Sequence, residues 1–137
     1  MPGIPNVAGT LVLHLTGNLQ HYFGAQLGGT GYIRNRPAEF ARRDVPRSEL
    51  LSQIEAARAA VKQAAANIGE AELAAEFPEP VGGSMVQTGE YLIHLATHFA
   101  YHLGQVDYHR RVVTGKADGV NAMRPEELSS ARPNPRS

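Results

Sequence analysis

Residues 1–33 contain no Asp, Glu, Lys or Arg. A stretch like that is inserted in a membrane, removed as a leader, or covered by protein on more than one side. A secretory leader opens with basic residues, and this segment has none. A spanning helix needs about 20 mostly apolar residues in a row. Here His14, Asn18, Gln20, His21 and seven glycines interrupt the run. The reading that remains is a helix held inside a helical core. The protein is expected in the cytoplasm, without membrane contact.

The rest of the chain keeps to helical spacing. Leu11, Leu15, Asn18 and Tyr22 mark a first helix over residues 7–27, which leaves through Gly28-Gly29-Thr30-Gly31. Gly17 and Gly24 each weaken its middle by about 1 kcal/mol relative to Ala. Leu50, Leu51, Ile54, Ala57, Val61, Ala64, Ala65 and Ile68 form an apolar stripe over residues 46–68. Asp44 or Ser48 is its expected N-cap and Gly69 its stop. A third helix is predicted over residues 88–113, with Thr88 as N-cap, Glu90 in the first turn and Gly115 at the C-cap. Residues 34–46 read as a polar connection holding Arg34, Arg36, Arg42 and Arg43, and residues 70–87 as a loop. No segment alternates convincingly, so the expected fold class is all-α. A chain of 137 residues supports one domain, here residues 5–115. Residues 116–137 are expected to form a flexible tail with one short turn near Pro125 to Leu128.

Charge and cysteine content narrow the chemistry. The 13 basic residues balance the 13 acidic ones, which argues against nucleic acid as a partner. With no cysteine, disulfides, thiolate nucleophiles and Cys-bound zinc are excluded. Any metal must be held by His, Asp, Glu or amides, and any reactive thiol must arrive from outside.

Four of the six histidines, His94, His98, His102 and His109, fall in the third helix. At about 100° per residue they span only about 80° of arc. His14 and His21 share a face of the first helix with Asn18. Glu90 is the only charged side chain in residues 81–106, and imidazoles on buried faces need partners. Two histidines four apart on a helix can aim at one ion. A third from another helix gives a three-histidine site with an open position, the arrangement of catalytic rather than structural sites. His98 and His102 with His14 satisfy this; His94 and His98 are an equally spaced pair, and spacing does not choose between them. His21 and His109 read as ordinary hydrogen-bonded residues.

Leu13-His14-Leu15 followed by Gly17-Asn18-Leu19, with the segment His94-Leu95-Ala96-Thr97-His98-Phe99-Ala100-Tyr101-His102-Leu103-Gly104-Gln105-Val106, resembles the DinB-like metal-binding four-helix-bundle superfamily, in its uncharacterised DinB-like branch. The resemblance covers residues 5–115. It implies a helical bundle in which three histidines bind a divalent metal, zinc or nickel. Carried over by position, these are His14, His98 and His102. His94, Asn18, Tyr101 and Gln105 then either support the ligands from behind or face the substrate. Two departures stand out. Leu103 occupies a position where many relatives have Arg. The family also has a helix before the one with its first histidine, whereas only residues 1–6 precede that helix here. A bundle lacking its first helix would expose apolar area, so a homodimer is expected.

The resemblance further implies a function. Family members of known activity are mostly transferases and isomerases that use low-molecular-weight thiols. The expected function is therefore metal-dependent thiol S-transfer to small electrophiles. The alternatives are a metal-dependent hydrolase and a non-catalytic metal-binding stress-response protein. A carboxylate beside the open position would favour hydrolysis. A basic pocket mouth would favour thiol transfer, and a closed site without a pocket would favour the non-catalytic protein. The arginines at 34, 36, 42 and 43 are read as a solvated loop in preference to a contact for a carboxylated thiol. Glu90 and Tyr101 are candidates for proton transfer.

Overall fold

A computed structural model of the chain describes residues 7–120, 123–133 and 135. The expected lack of the family's first helix concerns residues 1–6, which lie outside the described residues. Five α-helices are present among the described residues: α1 (Ala8–Leu19), α2 (Arg36–Ala41), α3 (Arg47–Ala65), α4 (Glu70–Ala74) and α5 (Thr88–Thr114). No strand is present among them. Isolated bridges at Glu76–Gln87 and Val81–Ser84 are the only β pairing there. The protein is all-α, and no described helix is long and apolar enough to cross a membrane.

The uncharged first helix is the centre of the fold. Thr10, Leu11 and every residue from Leu13 to Asn18 are buried, which exhausts more than one face. It packs against α3 on one side and against α2 and α5 on another. Two of its polar side chains are satisfied internally: Thr16 Oγ1 donates to Val12 O at 2.9 Å and Gln20 Nε2 to Gln53 Oε1 at 3.0 Å. From Gln20 to Leu27 the helix continues with π geometry, whose wider turn shifts the side chains of this segment around the axis. His21, in this segment, meets Glu79 at 2.8 Å. The helix closes as its glycines predict: Gly29 has φ 63°, and Thr30 N–H donates to Gly24 O at 3.0 Å.

Several expected boundaries are corrected. α3 begins at Arg47 after Pro46, with neither Asp44 nor Ser48 as its cap, and it ends at Ala65. Gly69 does not stop α3; its N–H donates to Glu72 Oε2 at 2.9 Å, opening α4. Ala57, Ala60 and Ala64 form the buried side of α3, while Leu51 and Ile54 of the expected stripe are exposed. Small residues win because the helices are close here: a Cβ on Gly24 would stand 3.2 Å from the Ala60 Cβ. Gln87 is the N-cap of α5 in place of Thr88, whose N–H donates to Ala75 O at 2.9 Å. Gly115 ends α5 in the left-handed region, as expected. The two segments read as connections contain α2 and α4. The second also lays Phe77 in the core against Tyr91, with ring centroids 4.7 Å apart. Beyond α5, Arg110 Nη2 donates to Asp118 O, and a turn of 3₁₀ helix forms at Pro125–Glu127.

Candidate metal centre

α1 and α5 bring three histidines together. His14 Nε2 lies 3.2 Å from His98 Nε2, and His102 Nε2 lies 3.1 Å from that same atom. Their ligand atoms all fall within 4.8 Å of one another. His98 and His102 are one helical turn apart, so both rings leave α5 on the same side. His14 faces them because α1, buried on several sides, has no freedom to turn it elsewhere.

The hydrogen bonds assign the tautomers. His14 Nδ1–H donates to Glu39 Oε2 at 3.0 Å. Arg34 Nη2 is 3.2 Å from that nitrogen but cannot donate to an atom that already bears a proton, so its bonds go to Glu39. His102 Nδ1–H donates to Gln105 Oε1 at 2.6 Å. Both outer Nε2 atoms are therefore lone pairs, and they flank a His98 Nε2 that can place a proton toward only one of them. Lone pairs this close repel unless a cation lies between them. The donor set therefore fits a divalent ion with nitrogen ligands. Burial first, then His102, His14, His94 and Arg34, push the His98 imidazole down to about 4. It is neutral at pH 7, the form that ligates.

Behind His14 stands an ion pair. Glu39 is 7 % exposed and Arg34's side chain 11 %. Arg34 Nε donates to Glu39 Oε1 at 2.7 Å and Nη2 to Oε2 at 2.8 Å, a bidentate fork. Burial alone would raise the Glu39 carboxyl; the Arg34 fork, then His14, outweigh it and hold it below the ordinary carboxylate range. A carboxylate on the outer nitrogen of a ligating histidine orients the ring and raises its basicity. Gly17 makes room for this: a Cβ there would overlap Glu39 Oε1 and stand 2.9 Å from its Cδ.

The three imidazoles line a cavity of about 760 Å³ together with Asn18, Tyr22, Arg34, Arg36, Phe40, Val81, Gly82, Val86, Glu90, Tyr91 and His94. His94 stacks on Tyr91 at 5.5 Å and on His98 at 6.2 Å but does not join the ligand group. Asn18 is buried and lines the cavity, whereas Gln105 acts through His102. Burial first, then the neighbouring Tyr22, raise the Tyr91 phenol.

Two expectations are corrected. Tyr101 is 65 % exposed and does not line the cavity. It touches only the edge of the His102 ring, at 5.2 Å, because the next position on a helix is turned by about 100°. The arginine segment is not a solvated loop at Arg34, whose side chain is largely buried, and Arg36 lines the cavity. Sequence spacing did not single out Glu39. A signal for its helix was present: Asn35 caps α2, accepting from Ala38 N–H at 3.1 Å, with Pro37 in the first turn.

No curated protein and no solved structure matches the chain. The sequence model of the DinB superfamily matches residues 6–106. That span contains all three converging histidines, the whole of α1 and the part of α5 that carries His98 and His102. The chain belongs to the DinB superfamily.

Proposed function

We propose that this protein is a divalent-metal-dependent transferase that joins a small thiol to an electrophile. One observation carries the reading: three imidazoles stand on the wall of an open cavity that Arg34 and Arg36 also line, with Glu90 as the acidic residue of that lining. His14, His98 and His102 would hold the ion, zinc or nickel. A cation there would lower the pKa of an incoming thiol and favour its thiolate. Glu39 and Gln105 keep the outer protons of two ligands in place. Phe40, Tyr22, Val81 and Val86 offer an apolar wall to the electrophile. The chain has no cysteine, so the sulfur comes from a low-molecular-weight cosubstrate. A cytoplasmic location accords with this, since small thiols are kept reduced there.

The hydrolase reading needs a carboxylate beside the ion. Glu39 is turned behind His14, and Glu90, though on the cavity wall, is exposed and lies two turns before His98 on α5. The non-catalytic reading is weakened by the open cavity.

The same reading includes a homodimer. Ile93, Ala96, Phe99, Ala100 and Leu103 run along one uncharged side of α5, with Ile93 and Phe99 exposed. α3 and α5 do not approach within 8 Å Cα–Cα, so α3 does not cover that side.

The test combines metal analysis of native protein with turnover of a chlorinated aromatic by a panel of thiols. Stoichiometric zinc or nickel, turnover with one of the thiols, and loss of both in His102→Ala are expected. Metal-loaded protein that turns over no thiol removes the transferase reading. Ester cleavage without thiol replaces it with the hydrolase.

A further inference from the structure

Two polar groups on the cavity wall have no partner among the described residues. Asn18 is one turn on from His14 and 7 % exposed, yet its carboxamide makes no hydrogen bond there. Its carboxamide is not sealed in the core but opens onto the cavity, where water or a ligand supplies its partner. Arg36 is the first residue of α2, and its guanidinium lies over the Phe40 ring at 5.2 Å. Its neighbours are engaged: Arg34 grips Glu39, and Arg42 Nη2 donates to Glu49 Oε2 at 2.9 Å. Arg36 pairs with no carboxylate among the described residues, and it too lines the cavity. The Phe40 ring in turn lies 5.0 Å from that of His14. Arg36 is thus one aromatic ring away from the imidazole group.

We propose that Asn18 and Arg36 form a subsite for the carboxylate of a small molecule whose other end reaches the three imidazoles. The substrate class is then a mono-carboxylated thiol. What binds at the imidazoles rests on the metal-dependent reading above; the anion subsite stands on Asn18 and Arg36 alone. A guanidinium donates two parallel N–H bonds to a carboxylate, and a carboxamide N–H adds a third. The Phe40 ring, 5.2 Å from the guanidinium, adds a cation–π contact. Glu90, on the same wall, repels further negative charge and selects against polyanions.

The test has two arms. In the first, cobalt(II)-loaded protein is titrated with mercaptoacetate and with ethanethiol, monitored by the visible absorption of the ion. The carboxylated thiol is expected to bind about tenfold or more tightly, the factor that one good charge-assisted contact supplies. That preference shrinks about tenfold in Arg36→Gln and in Asn18→Leu, and it survives in Arg58→Gln, which removes the same charge from exposed α3. Equal binding of the two thiols, or an undiminished preference in both subsite variants, overturns the proposal. In the second arm, metal-free protein is titrated with propionate and with propanol by isotope-edited NMR. The Arg36 Nε–H and Asn18 carboxamide signals are expected to move with propionate only. If they do not move, the subsite falls whatever the cobalt arm shows. If they move but no cobalt binds, the subsite stands and the metal reading falls. Arg36 is exposed, so its variant reports on binding even where Asn18→Leu fails to fold.

Discussion

Glu39 is a buried carboxylate that serves two neighbours at once. It neutralises Arg34 through a bidentate fork and takes the Nδ1 proton of His14 in a hydrogen bond. Neither contact is replaceable by water in so closed a place. Glu39→Gln keeps the shape and removes the charge. Metal affinity is expected to fall about 10- to 100-fold, the usual effect of losing a carboxylate behind a ligand. Competition with a chelator of known affinity measures it. The unpaired Arg34 adds a stability loss of about 3 kcal/mol, since one member of a buried pair is left uncompensated. Gly17 belongs to the same arrangement. Its missing side chain lowers helix propensity, and that cost is what gives the carboxylate its place over α1.

α1 sets the position of every other helix it touches. It can do so because it has no charge to hydrate, and because glycines and alanines let neighbours close in. Gly24 and Gly28 face Ala60 and Ala64 of α3, with Cβ positions 3.2 and 3.7 Å away. Ala60→Leu forces the helices apart and is expected to cost about 1–3 kcal/mol in urea denaturation. The same shift moves α1 relative to α5, so the variant should also bind zinc less tightly than a surface control such as Ala59→Leu. The π segment carries His21, which is held by Glu79, while His14 and Asn18 are the polar groups that α1 presents to the cavity.

For the molecule as a whole, the imidazole group is a cross-link between residues far apart in the chain. An ion held there stabilises the folded state by mass action. At a hundredfold excess over Kd the gain is about 2.7 kcal/mol. Zinc is therefore expected to raise the melting temperature by several degrees, EDTA to reverse the shift, and His14→Ala to abolish it. Calorimetry with and without metal checks all three. The homodimer reading belongs here as well. Sedimentation is expected to give twice the chain mass, and Ile93→Lys, which places a charge on the uncovered side of α5, to shift it toward monomer. A wild-type protein that sediments as a monomer at all accessible concentrations refutes that reading.

The helical class and the three long helices were legible because burial leaves a period in the sequence: the uncharged first segment and the alanine-rich stripe both show it. The converging histidines were legible in part. Spacing offered His94–His98 and His98–His102 equally, and only the family resemblance chose. Caps were misread at Thr88, Asp44 and Ser48 because capping is a local preference that packing overrides. Glu39, Arg34 and the cavity were not legible, since nothing in a polar segment says which of its charges will be buried. That depends on where α2 lands against α1, a matter of the glycine at position 17 and of contacts between residues 25 positions apart. Period and composition chose the helices and proposed the ligands. Packing chose which imidazoles meet, which charges stand behind them, and which side of the group is left open.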